Sequence, residues 1–210
     1  MSVVLVGANP GLQLFDAAGV VAAASLWTVD WSVWGVGTAM IVADRSGWRT
    51  IGTDEHLARI LLERFTRHFP EFSGLGPTDD ITHLDDRVEI SSDLFSGLRA
   101  TGGGVRLRIG GVKDRRQFAD PSFPLGNTSL ALSNVYLPCE LGELSIDGAS
   151  VEGAPKCEYV GGRWSSTSYL AVAEVWSENE QPAVAATLTG AGSTGGSTEP
   201  RRHLRAVQPR

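Results

Sequence analysis

The sequence predicts a mainly β protein: an antiparallel β-barrel or strongly curved sheet, with one amphipathic helix over 54–69 and a disordered C-terminal tail. Short β-branched and aromatic runs recur through the first 176 residues, and 25 glycines supply frequent turns between them. Only one stretch combines helical periodicity with caps and suitably placed charges. A chain of 210 residues buries a sizeable core without disulfides or metal, and 42% hydrophobic with 20% charged residues is ordinary for a globular protein. The expected organisation is one β-rich domain over 1–176 and an Ala/Gly/Ser/Thr-rich tail over 177–210, which cannot bury enough apolar surface to offset its ordering entropy.

Val3 to Val6 and Leu12 to Phe15 read as strands around the turn Gly7-Ala8-Asn9-Pro10-Gly11, where the glycine spacing of a dinucleotide fingerprint is missing. Val20 to Val33 reads either as one long, bent strand or as a short strand feeding a tryptophan-rich one. Its end, Leu26 to Trp34, holds three of the six tryptophans. Alternation puts Trp27, Val29, Trp31 and Val33 on one face and Thr28, Asp30 and Ser32 on the other. Gly37 to Asp44 and Trp48 to Ile51 form a hairpin about Arg45-Ser46-Gly47. For the helix, Thr53 is the expected N-cap, and Asp54 and Glu55 lie where the dipole favours negative charge. Leu57, Ile60, Leu61, Phe65 and Phe69 make its apolar stripe, and Pro70 stops it.

Residues 70–87 read as a loop. Its acidic portion, 79–86, carries Asp79, Asp80, His83, Asp85 and Asp86, an oxygen-rich set that suits a hard cation, but the spacing is not that of an EF-hand. The expected state is a solvated acidic loop without metal. Strands follow at Val88 to Ser92, Leu98 to Ala100, Val105 to Gly110 and Arg116 to Phe118, with a hairpin at Thr101-Gly102-Gly103-Gly104. Arg106 and Arg108 share a strand face and require either an acidic cross-strand partner, Glu89 or Asp93, or an anionic ligand. Asp120 to Asn127 reads as a turn-rich connection and Leu130 to Leu137 as a strand ending at Pro138. Short hairpins turn at Asp147-Gly148 and at Gly161-Gly162. Ser168 to Trp176 closes the domain, with Leu170, Val172, Glu174 and Trp176 on one face.

A net charge of −6 argues against an electrostatic grip on nucleic acid. No run approaches the roughly 20 apolar residues of a membrane-spanning helix, and no basic start of a signal peptide is visible, so a cytoplasmic protein is expected. Cys139 and Cys157 read as free structural thiols. Catalytic signatures for nucleophile elbows, zincins, phosphate loops and redox dithiols are missing, and the four histidines are too scattered for a metal site.

What remains is a set of polar side chains inside apolar strands. If the strands close a barrel, Asp30 and Glu174 would project into its interior, where burial raises a carboxyl pKa and suits it to acid or base work. Asn134 and Tyr136 would orient a ligand and Trp34 and Trp176 would wall it in. Alternation alone offers the plainer outcome, in which Asp30 and Glu174 mark the wet side of half-buried strands. The expected function is a barrel that binds a small, largely apolar molecule without cofactor or metal, with proton transfer, cyclisation, isomerisation or hydration as an extension. Two other readings are a non-catalytic module that uses its tryptophans, and an anion-binding protein built on Arg99, Arg106 and Arg108. The general pattern resembles that of lipocalin-like proteins, but Gly47-Trp48 lacks the spacer of their Gly-x-Trp opening motif, and the sequence is assigned to no family.

Overall fold

The computed structural model describes residues 2–76 and 81–178; Asp79, Asp80 and the expected tail beyond Glu178 lie outside them. The chain runs through β1 (Ser2–Ala8), β2 (Gly11–Asp16), β3 (Gly19–Ser32), β4 (Gly37–Asp44) and β5 (Gly47–Ile51), then α1 (Glu55–Arg64) and two 3-10 turns, Thr66–His68 and Pro70–Phe72. There follow β6 (Ile81–Leu84), β7 (Glu89–Asp93), β8 (Gly97–Gly102), β9 (Val105–Val112), β10 (Arg116–Leu125) and β11 (Thr128–Ile146). The last strands are β12 (Ala149–Ser150), β13 (Cys157–Val160), β14 (Arg163–Ser166) and β15 (Ser168–Glu178).

Apart from the separate β13–β14 hairpin, the strands join one 13-stranded sheet whose main path is β6-β5-β4-β3-β1-β15-β11-β9-β8-β7. Pairing is antiparallel except between β5 and β6. The fold is a strongly curved sheet and not a clear barrel: among the described residues β6 and β7, at the two ends of the path, are not paired with each other.

Curvature folds one face of the sheet onto itself. Leu12, Leu26, Met40, Leu107, Leu137 and Leu170 fill that interior, and the two halves touch closely enough that a Cβ on Gly103 would lie 3.0 Å from Ile51. The interior is therefore occupied by aliphatic side chains. The opposite face of β1, β3, β4, β5, β11 and β15 carries a second core, in which Trp27, Ile41 and Trp176 meet Leu57, Leu61 and Phe65 from the helical segment. Burial on both faces explains why β3 and β4 read as nearly continuous apolar runs.

Alternation fails in β3 after Val29. β1 pairs Gly7 with Val29 and Val6 with Trp31, so Asp30 is the extra residue of a β-bulge. The change of phase turns Trp31 and Val33 out to solvent, and Asp30 itself is exposed.

The helix also departs from expectation. Asp54, not Thr53, is its N-cap, accepting from the Leu57 N–H at 2.9 Å. It ends at Arg64, because Phe65 leaves helical geometry with φ −125° and ψ −76°. The next turn is drawn onto the sheet, where the Trp27 Nε1–H donates to Thr66 Oγ1 at 2.9 Å, both side chains being fully buried. Tertiary packing thus overrides the helical stripe that runs on to Phe69 in the sequence.

The expected loop over 70–87 contains β6, and Asp86 there accepts from the Gly103 N–H at 2.6 Å, tying the segment to the β8–β9 turn. β10 continues through Pro121 to Leu125, β11 passes Pro138 to reach Ile146, and β15 extends to Glu178, two residues into the segment assigned to the tail. Cys139 and Cys157 are free thiols. Among the described residues no helix is long and apolar enough to cross a membrane.

Replacing Thr66 with Val keeps the shape but leaves the buried Trp27 N–H without an acceptor. Urea unfolding is expected to show a loss of about 1–3 kcal/mol; an unchanged midpoint would show that this hydrogen bond does not hold the turn to the sheet.

Candidate functional site

A cavity of about 270 Å³ lies between the β10–β11–β15 face and the 3-10 turns. Its lining cannot come from regular strands. On β15 the lining residues are Tyr169 and Ala171, then Glu174 and Trp176, so the odd face gives way to the even one. β11 pairs Ser133 with Val175 and Val135 with Val172, which leaves Asn134 opposite both Ala173 and Glu174 across a β-bulge. Ala173 adopts a φ of +52°. For a residue with a Cβ this left-handed conformation costs roughly 1–2 kcal/mol.

A second bulge does the same on β10. Asp120 pairs with Leu132 and Phe123 with Leu130, so Pro121 and Ser122 together face one residue. Arg116, Phe118 and Phe123 consequently line the same cavity despite their mixed parity.

Glu174 is 2% exposed. Its Oε1 accepts from Trp176 Nε1 at 2.5 Å and its Oε2 from Asn134 Nδ2 at 3.3 Å. Among the described residues no Lys or Arg forms a salt bridge with it. Burial raises its pKa to about 7, against the lowering effect of these two hydrogen bonds. Asn134 turns its amide nitrogen to Glu174, which leaves Oδ1 buried without a partner.

Glu71, on the second 3-10 turn, brings another carboxyl to the cavity. It is partly exposed, yet desolvation raises its pKa, and a hydrogen bond from the Tyr169 hydroxyl offsets part of the rise. Tyr169 reaches over Gly11, where a Cβ would come within 2.5 Å of the ring, so a larger residue there would displace the tyrosine. The Tyr136 hydroxyl donates to the Ser166 carbonyl at 2.9 Å, and burial pushes its pKa up to about 12. Arg116 sits with Cζ 4.8 Å from the Tyr136 ring centre and donates to the Trp164 carbonyl at 2.7 Å and to Asp114 at 3.0 Å. Phe69 and Trp176 are nearly parallel with centres 6.2 Å apart, and Phe123 stands edge-on to both. Polar and aromatic side chains thus meet in the cavity, with Trp176 itself donating to Glu174.

Of the residues singled out in the sequence, Glu174, Asn134, Tyr136 and Trp176 come together here, on the covered outer face of the sheet and not in a barrel interior. Trp176 is 1% exposed and so is a wall, not a surface patch. Asp30 is exposed at its bulge and does not line the cavity. Trp34 packs edge-on against Phe65 at 5.8 Å beneath Arg64, also outside it. Arg106 and Arg108 are exposed on β9, where Arg108 pairs with Glu143 at 3.2 Å, not with Glu89 or Asp93.

Sequence reasoning missed Glu71, Tyr169 and Arg116. Tyr169 carried a readable signal, an aromatic alternating with Ala171 in a strand already assigned. Glu71 carried none, because the chain after Pro70 resembles a loop. Among the described residues no group of His, Cys, Asp and Glu is placed to hold a metal.

Ionising Glu174 is harder in the folded chain, at about 7, than at the ordinary value of 4.5 in the unfolded one. The folded protein therefore binds more protons between these values, and stability falls as pH rises through the window and levels off above it. In Glu174→Gln the amide oxygen still accepts from Trp176, and the amide nitrogen donates to Asn134 Oδ1 once the Asn134 amide turns over. The variant should match the wild type near the acid end and exceed its stability by about 3 kcal/mol above neutrality. Urea unfolding across this range checks it, and a difference that does not change with pH would contradict the buried, unpaired carboxyl. No protein-family model, curated protein or solved structure matches the chain.

Proposed function

We propose that this cavity binds a small, largely apolar molecule and that Glu174 acts on it as a general base or acid without metal or cofactor. The observation that carries the reading is a buried carboxyl, held by Trp176 and Asn134 at a strained bulge, with a pKa of about 7 and an aromatic cavity beside it. A group poised near neutrality exchanges a proton with least penalty in either direction. Asn134, whose Oδ1 is buried without a partner, orients the bound molecule together with the ring of Tyr136, and Phe69, Phe123 and Trp176 supply the apolar wall. Isomerisation, cyclisation and hydration are the reaction classes such a single proton shuttle supports. The free thiols fit a reducing, cytoplasmic setting.

The anion-binding alternative has weaker support. Arg99, Arg106 and Arg108 border a pocket of about 280 Å³ with Glu143, but all three are exposed and the carboxylate already pairs with Arg108.

Deuterium exchange into a panel of small carbonyl compounds, followed by proton NMR in heavy water, tests the catalytic claim. Wild-type protein should accelerate exchange of at least one compound, with a rate that rises through about pH 7. Glu174→Gln should lower that rate by about 10²–10⁴-fold. Compounds that raise the melting temperature yet exchange equally in wild type and variant would reduce the site to a binding cavity.

A further inference from the structure

Two polar groups of the cavity, Asn134 and Glu174, are short of donors. Asn134 Oδ1 is buried and has no partner. Each Glu174 oxygen accepts one hydrogen bond, although an ionised carboxylate offers about four lone-pair sites in all. Of the donors nearby, the Tyr136 hydroxyl is engaged on Ser166 and the Arg116 Nη1 on Trp164 and Asp114.

We propose that the ligand is a small protonated amine with an apolar or aromatic body, its ammonium donating to Asn134 Oδ1 and the Glu174 carboxylate while the body lies against Phe69, Phe123 and Trp176. This rests on the reading of the cavity as a ligand site and goes further by naming the class of ligand.

Three features favour a cation over other donors. An ammonium group supplies three N–H donors, enough for the amide oxygen and both carboxylate oxygens together, whereas an alcohol supplies one. Trp176 donates to Glu174 Oε1 and so stands beside the carboxylate, and an aromatic ring attracts a cation within about 6 Å of its centre. A bound cation also gives the buried Glu174 charge the partner it lacks within the protein.

The surrounding charges agree. The titratable and charged groups of the cavity lining besides Glu174 are Tyr169 on its own strand, Tyr136 on β11, Glu71 on the 3-10 turn and Arg116 on β10. Arg116 is offset by Asp114, so with both glutamates ionised the site is negative. The volume, about 270 Å³, lies just under the range of about 300–1,000 Å³ usual for ligand pockets and fits a compact molecule.

Isothermal titration of the full chain with benzylammonium, benzyl alcohol and benzoate provides the test. At about pH 8 benzylammonium should bind at least about tenfold more tightly than either analogue. Its affinity should fall about tenfold on going to about pH 6, as Glu174 takes up a proton. Glu174→Gln should remove most of the preference and of the pH dependence, leaving the part that Glu71 supplies, with circular dichroism confirming the fold. Should that variant not fold, the wild-type pH dependence still decides.

Equal or tighter binding of benzyl alcohol overturns the amine assignment and leaves a ligand cavity. Preference for benzoate overturns it in favour of Arg116, and no binding by any of the three overturns it outright. Glu174-dependent exchange into neutral carbonyl compounds, with no preference for the amine, would leave the acid–base reading standing while the amine reading fails.

Discussion

The β-bulge at Ala173 is the constraint from which the site follows. Were β15 regular, Glu174 and Trp176 would continue the face of Leu170 and Val172, which points into the filled aliphatic interior. A carboxyl there would meet no donor, and the desolvation penalty would far exceed the roughly 1–2 kcal/mol of strain that the left-handed Ala173 imposes. The extra residue instead rotates Glu174 to the other face, where the Trp176 indole and the Asn134 amide are waiting. The same residue brings Trp176 to the second core, against Phe65, Phe69 and Phe123. A single backbone irregularity thus sets the chemistry of the cavity and part of its wall.

The opposite wall depends on how the helical segment meets the sheet. Leu57, Leu61 and Phe65 anchor α1, and the Trp27 to Thr66 hydrogen bond pulls the following turn inward. That places Phe69, Pro70 and Glu71 over the β11–β15 face. The two 3-10 turns are only three residues long each and rest on side-chain packing, with few backbone bonds of their own. Short elements with so little internal bonding open more readily than a sheet ladder does.

Much of the fold is legible in the sequence because hairpin chemistry and strand period are local. Gly103-Gly104 and Gly161-Gly162 have positive φ at both positions, as do Asp147 and Gly148, the conformation that tight two-residue turns demand. The strands between them alternate or run apolar according to whether one or both faces are covered. Glu174 and Asn134 stand out as polar residues inside such strands. The face on which they lie is not legible, since the bulge that sets it sits at an alanine with no glycine to mark it. The early end of α1 and the parallel pairing of β6 depend on contacts remote in sequence, such as Thr66 with Trp27 and Thr50 with His83, and no local pattern announces them.

The arrangement also separates stability from chemistry. The interior of the curved sheet is aliphatic, and the polar groups there are few. On the outer face, by contrast, a carboxyl without a cation, an amide oxygen without a donor and a strained alanine lie within three adjoining positions of two paired strands. Each is unfavourable for the folded chain by itself. Packing does not require all of them: a Gly at 173 would relieve the strain, and a Gln at 174 would keep an acceptor for Trp176 without a buried charge. Their concentration at the floor of a cavity, while the rest of the sheet obeys ordinary rules of burial, places the unfavourable groups where a bound molecule can reach them and supply the missing hydrogen bonds.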